Sequence, residues 1–476
     1  MSYKTIIGLE IHTELMTKTK MFCSCTNAFG SEANTHCCPV CIGLPGALPV
    51  INKTAVEYAI KAGIAFNCEI NTRTRMDRKN YFYSDLVKGY QISQDDIPLC
   101  DGGYIEIELE SGTKEIHLQR IHIEEDTGKQ THTTDGDTLI DYNRSGVPLI
   151  EIVTKPEMNT AEEARLFLEK LKETLKYIEV SDCKMEEGSL RCDVNINVVD
   201  NETGAKTNIT EIKNLNSFKG AVKAMEYEEQ RHIALLKEGK NTVKETRRWD
   251  EVKNETITMR AKGEVADYRY AADGDISPIE INDKWIEEIK NNLPELPHDK
   301  KERFIKEYEL EEYDAGVLTS SKELASFFEE TIKHIDDSKL VSNWIMGDVL
   351  RRLKDEEVEI QDTSLTPEAL AKLISIVKEG KINNNTGKKV LKEIFDTGKD
   401  PETIVKEQGL VQISDEGALK EIVAKVLDEN EQSIIDYKNG KDRAIGFLVG
   451  QIMKASRGKA NPQIVNKMII DMINER

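Results

Sequence analysis

Apolar and polar residues alternate with a period of two through much of the first 290 positions, and recur with helical spacing beyond them. GYIEIELESGTKEIHLQRIHIEED (103–126) alternates on both sides of Ser111-Gly112, which predicts a hairpin. LRCDVNINVVDNETGAKTNITEI (190–212) repeats the pattern, with a turn near Asn201–Gly204. Between them, TAEEARLFLEKLKETLKYI predicts a helix opened by a Thr160/Glu163 capping box. Ala161, Ala164, Leu168, Leu171, Leu175 and Ile178 form its buried stripe. SFKGAVKAMEYEEQRHIALLKEG predicts a second helix, ended by Gly239. From about 295 to 405 the pattern is helical, as in SKELASFFEETIKHI and TPEALAKLISIVKEG. The expected fold is α+β, a mixed or antiparallel sheet domain followed by an all-helical domain and a small helical tail. Prolines in NNLPELPHDKKERF and a Gly-Lys-Asp-Pro break place the boundaries, giving domains 1–293, 294–405 and 406–476. No internal repeat is visible.

The composition is that of a globular protein, 39% apolar and 32% charged. No run reaches the roughly 18–20 apolar residues of a membrane span. MSYKTIIGLEIHTEL lacks the apolar core and cleavage site of a secretory signal, so a cytoplasmic, reducing setting is expected. The net charge of −21 argues against a polyanion partner for the chain as a whole. Residues 441–476 differ, with seven Lys/Arg against three Asp/Glu. That end could hold a nucleic acid, or present an ordinary solvated basic face.

Five of the nine cysteines crowd into FCSCTNAFGSEANTHCCPVCIG, residues 22–43. Cys23-x-Cys25 and Cys38-x-x-Cys41 supply four soft ligands in two close pairs, the donor set of a structural zinc site. Redox chemistry and inert buried thiols are the alternatives, and Cys37 competes with Cys38. A closed four-sulfur site would brace loops and leave no open position for catalysis. Cys68, Cys100, Cys183 and Cys192 are scattered and read as small core residues.

A second ligand set lies on strand-like segments. In IIGLEIHTEL, Glu10, His12 and Glu14 share one face and Leu9, Ile11 and Leu15 the other. Glu124, Glu125 and Asp126 follow in IHIEEDTG, and Glu151 interrupts the apolar run of PLIEIVTKP. A carboxylate there is costly unless paired, hydrogen-bonded or bound to a metal. Oxygen ligands with one imidazole suit Mg²⁺ or Mn²⁺, and a solvated face with an ion-paired glutamate is the competing reading. MDRKNYFYSD (76–85) offers Arg78 and Lys79 to phosphates, and Tyr81, Phe82 and Tyr83 to a base or to the core. KMEEGSLRCDVN (184–195) sets Lys184, Glu186, Glu187, Arg191 and Asp193 around a glycine, as a polar site or a plain hairpin approach. There is no GxxxxGK[ST] and no GxSxG.

Taken in order, GLEIHTEL, the CxC…CPVCIGLPGALPV block, DRKNYFYSD, KGYQISQ, EEDTGK, YNRSGVPLIEIV, KMEEGSLRCDVN, EIKNLNS, ETRRWDE and VGQIMKASRGKANP span nearly the whole chain. This series resembles the B subunit of the tRNA-dependent amidotransferases, the GatB family. The resemblance implies a catalytic cradle domain, a helical linker domain and a YqeY-like tail that contacts tRNA. It implies partnership with an amidase, the A subunit, and with a small C subunit in a heterotrimer. The implied activity is ATP- and Mg²⁺-dependent phosphorylation of the side-chain carboxylate of Glu-tRNA(Gln), Asp-tRNA(Asn) or both, then amidation with ammonia from the amidase. On that basis Glu10, His12, Glu125 and Glu151 are expected to be catalytic and to gather the magnesium, with Glu124 as a neighbour. Lys79 and Arg191 are assigned to phosphate and Asp193 to a further polar role. Cys23, Cys25, Cys38 and Cys41 are assigned to zinc, and Lys454, Arg457 and Lys459 to the tRNA backbone. The alternative is a tRNA-docking scaffold in the same complex without kinase activity. The chain departs from the family at Ser84 and at AADGD (271–275), where prolines are usual. A loop without them is expected to be looser.

Overall fold

The computed structural model describes residues 3–261, 267–411, 416–438, 441, 443–456, 460 and 462–475. The chain divides into two compact units, Met1–Leu296 and Pro297–Arg476. The fold is the expected α+β, a mixed sheet unit followed by helices. Among the described residues, no helix is long and apolar enough to cross a membrane.

The first unit is built on a sheet of ten strands among the described residues. Its central strands are β1 (Tyr3–Glu14), β2 (Gly112–Glu125), β3 (Pro148–Thr154), β4 (Leu190–Asp200), β5 (Thr210–Lys213), β6 (Glu245–Asp250) and β7 (Glu255–Ala261). They lie side by side in the order β7-β6-β5-β4-β1-β3-β2. The pairs are antiparallel except β5–β6, which is parallel. The β1 strand is central, pairing His12 with Arg191 of β4 on one side and with Glu151 of β3 on the other.

Alternation along these strands divides the sheet into two chemical faces. Ile7, Leu9, Ile11, Ile121, Ile123, Ile150, Ile152, Val194 and Ile196 are buried on one face. Three helices pack into the same core: α1 (Lys53–Ala65), α2 (Ala161–Tyr177) and α3 (Phe218–Lys237). The opposite face carries Glu10, His12, Glu14, His122, Glu124, Glu151, Arg191 and Asp193.

The local signals behave nearly as read. The first hairpin turns one residue earlier than expected, because Leu109 pairs with Gly112 and leaves Glu110-Ser111 as the loop. Thr160 caps α2 by accepting from Glu163 N at 3.1 Å. The return bond differs from a capping box, since Glu163 accepts from Asn159 N at 2.7 Å and also pairs with Lys114. Gly239 follows α3 with φ +69°, the left-handed conformation that glycine adopts at least cost.

In the second unit every regular element among the described residues is helical. Its apolar side chains form two clusters, one spanning Phe304 to Val405 and the other Leu419 to Ile473.

Candidate active site and metal sites

Strand register assembles the polar face from residues far apart in sequence. His12 Nε2 lies 3.3 Å from Glu124 Oε1 and 3.4 Å from Glu151 Oε2. These three offer ligand atoms within 4.8 Å of one another. The oxygen-rich set fits a hard divalent cation. His122 lies behind it, with Nε2 3.2 Å from Glu151 and 3.7 Å from Glu124. Ser93 donates to Glu124 at 3.1 Å. Burial alone would lower the His12 pKa, but its bonds to Glu124 and Glu151 outweigh that and raise it to about 10. Burial opposes charge on Glu124 and Glu151 as well, yet the two imidazoles hold both carboxyls below the usual range.

The structure groups the expected ligands differently in two places. Glu125 does not join His12 and Glu151. Successive residues of β2 point to opposite faces, so Glu124 takes the position assigned to Glu125. The Glu125 carboxylate instead pairs with Lys88 and accepts from Ile92 N at 3.0 Å. It lines a cavity of about 270 Å³ together with Cys23, Cys41, Arg78 and Lys88. Glu10 also stands outside the trio. It groups with Asp193 and Glu211, accepts from Asn195 at 2.8 Å, and has its pKa raised by burial and by Glu151.

Among the phosphate candidates, Lys79 comes close to the trio. Burial would lower its pKa, but the nearby Glu124 and other negative groups raise it. Its ammonium lies 4.9 Å from the Tyr268 ring centre. Arg191 is already paired, with Nη2 2.5 Å from Asp126 Oδ2, while its Nε is buried without a partner. Asp193 is held by Lys213. Arg78 is engaged with the unusual AADGD segment, at 2.7 Å from Asp273 and 2.8 Å from Asp275. Ala271–Ala272 pairs as an edge strand with Asp77–Arg78, so this loop is tied to Arg78 through both its backbone and its aspartates. Phe82 and Tyr83 are largely exposed, while Tyr81 stacks edge-on against Tyr268 at 5.8 Å.

Cys23, Cys25, Cys38 and Cys41 place four sulfurs within 4.8 Å of one another, a donor set that fits tetrahedral zinc. Cys37 turns away toward Asn143, at 3.8 Å. A bond from Cys23, the Cys38 N–H at 3.1 Å and the Lys20 ammonium bring the Cys41 pKa to about 4. Cys23 is displaced upward by the same contact with Cys41, and by burial. In the second unit, Lys454 is exposed on the helix Arg443–Ala455. Arg457 and Lys459 lie outside the described residues.

His122, Lys20 and Lys88 were not singled out in the sequence. The alternation of RIHIEED carried a signal for His122, two positions before Glu124 and so on the same face. Lys20 and Lys88 had none, because Lys20 meets loop residues distant in sequence and Lys88 is itself carried on a loop to Glu125.

A one-sided sheet carrying a magnesium-type ligand set, with a thiol quartet on its loops, defines the class. Residues 5–287 match the GatB/GatE catalytic domain and residues 326–473 match the GatB domain. The second match begins inside the segment set apart above as a linker. Over the full length of both chains, this one is 56% identical to the B subunit of aspartyl/glutamyl-tRNA(Asn/Gln) amidotransferase from Clostridium tetani. It is 54% identical to the protein of the same name from Clostridium botulinum (strain Langeland), again over both whole chains. Identity to that of Finegoldia magna is 56%, covering 99% of this chain and all of the other. The chain belongs to the family of tRNA-dependent amidotransferase B subunits.

Proposed function

We propose that this chain is the component of an aminoacyl-tRNA amidotransferase that phosphorylates the side-chain carboxylate of Glu-tRNA(Gln), Asp-tRNA(Asn) or both with ATP. It then directs ammonia from a partner amidase onto the activated group. The observation that carries this reading is the His12–Glu124–Glu151 group, gathered on the polar sheet face beside Lys79.

A carboxylate is a poor electrophile. Transfer of the γ-phosphoryl group to a carboxylate oxygen gives an acyl phosphate and ADP. Ammonia then attacks the carbonyl carbon, phosphate leaves with the C–O bonding pair, and loss of a proton gives the amide. Such transfer depends on positioning and charge neutralisation more than on covalent help from the protein. Mg²⁺, held by His12, Glu124 and Glu151, supplies neutralisation of phosphate charge when bound. Lys79 provides a fixed cation within reach of the same group. Arg191 would meet phosphate by sharing or leaving Asp126, and Glu10 with Asp193 forms the acidic border of the face. The four cysteines hold zinc and brace the loops that follow β1. The amidase and the small third component complete a heterotrimer in the cytoplasm. The tail, 406–476, contacts tRNA phosphates through Lys454, Arg457 and Lys459.

The test is ADP release by the assembled complex given Glu-tRNA(Gln), ATP and Mg²⁺ but no ammonia source. Release that depends on the misacylated tRNA is expected, and Glu124→Gln abolishes it while tRNA binding persists. A complex that binds tRNA and releases no ADP would be the docking scaffold instead.

A further inference from the structure

Lys20 is among the largest fully buried side chains in the chain, with no exposed surface. A buried ammonium is costly unless its charge is met. Its donors reach the carbonyl oxygens of His36 at 2.8 Å and Tyr142 at 3.2 Å, and Cys41 Sγ at 3.6 Å. Among the described residues it forms no ion pair with a carboxylate. The two carbonyls bear no net charge, and a neutral thiol is a weak acceptor. The group able to offset this cation is therefore the sulfur cluster in its thiolate form.

We propose that Lys20 is the counter-cation of the four-cysteine metal centre. Four thiolates around a divalent ion carry two net negative charges, and Lys20 removes one of them from within the protein. It also fixes Cys41 from outside the ligand set, as partners of metal ligands commonly do. Its contacts join three segments. Lys20 N donates to Cys25 O at 3.0 Å, tying in the first cysteine pair. The ammonium holds His36, just before the second pair. Through Tyr142, and through Met21 N to Gly146 O at 2.7 Å, the same stretch grips the turn that leads into β3 and Glu151. Loss of the metal would leave this cation unmatched at the junction of all three.

The inference rests on the zinc reading of the four cysteines, and the experiment separates the two. The full-length chain and its Lys20→Gln and Lys20→Met variants are titrated with Zn²⁺ against a chromophoric chelator, and with Co²⁺ for the thiolate-to-metal charge-transfer band. Glutamine keeps a donor for the carbonyls and removes the charge, whereas methionine removes both. Expected are one tightly held zinc in the parent, a loss of affinity of about 10–100-fold in both variants, and a shifted cobalt band. A parent that binds no zinc overturns the site itself. A parent that binds zinc, with Lys20→Gln matching it in affinity and spectrum, overturns only the role of Lys20. If neither variant folds, the parent decides. Chelation must then lower its thermal midpoint reversibly, and an unchanged midpoint overturns the proposal.

Discussion

The thiol quartet and the His12–Glu124–Glu151 trio each gather ligand atoms within 4.8 Å, yet the chain assembles them by opposite means. The cysteines sit on two loops close together in sequence, so their spacing alone announces a site. The trio comes from three strands, with His12 more than a hundred positions from its partners, and strand register alone brings them together. Loop-borne ligands need an outside cation to complete them, and Lys20 stands there. Strand-borne ligands supply their own balance through His12 and His122, which flank Glu151 from the two neighbouring strands. A quartet read from spacing tolerates shifts of the backbone around it. A trio set by register changes partner altogether with a slip of one residue.

The largest effect is expected from exchanging neighbours on β2. Glu124→Gln should reduce tRNA-dependent ADP release by at least about 100-fold and weaken Mn²⁺ binding. Glu125→Gln should leave Mn²⁺ affinity within about threefold of the parent, which titration calorimetry can check. Equal losses in both variants would break the assignment by register. Next in size is Glu228, a buried charge cluster with no metal role. Its carboxylate is fully buried and meets Arg231 at 2.7 Å, Arg247 at 3.1 Å and His232 at 3.2 Å. Burial would raise its pKa, but the bonds from His232, Arg231 and Thr256 bring it down to about 2 from 4.5. A depressed carboxyl contributes stability that is complete above pH 4.5 and lost as pH falls toward 2. Glu228→Gln should cost on the order of 3 kcal/mol at neutral pH and flatten the acid limb of the stability profile, with Mn²⁺ and Zn²⁺ binding unchanged. Cys38→Ser should release zinc by metal analysis and lower the thermal midpoint by several degrees, leaving Mn²⁺ affinity close to the parent value. Thr160→Ala is the smallest, about 1 kcal/mol from the lost cap on α2, visible in denaturant midpoints and silent at both metal groups.

The same contrast explains what could be read in advance. Alternation and capping residues exposed the sheet, α2 and α3, because these signals are local. Glu151 was legible as a polar residue at odds with an apolar run, and His12 by alternation along its strand. Alternation after Ile121 and Ile123 already puts Glu124, not Glu125, on the polar face with His122, and pairing with β3 then brings it to His12. Glu10 was grouped with His12 by alternation, correctly for the face. Alternation is blind to lateral position, and Asn195 with the Asp193 side of the sheet claims it. The AADGD segment lacked its usual prolines and read as loose. Its two aspartates instead latch onto Arg78, a contact nearly two hundred positions away in sequence.

The central place of β1 has a consequence for how the molecule is made. Both neighbours of β1, the strands β3 and β4, are encoded some 140 to 190 residues after it. At bacterial-type elongation rates it waits roughly 10–40 s for its pairing partners. During that interval both of its edges lack the strands they pair with in the fold. Synthesis order therefore keeps the strand that bears His12 unpaired on both edges for much of the domain's synthesis, and the trio cannot assemble before Glu151 has been made.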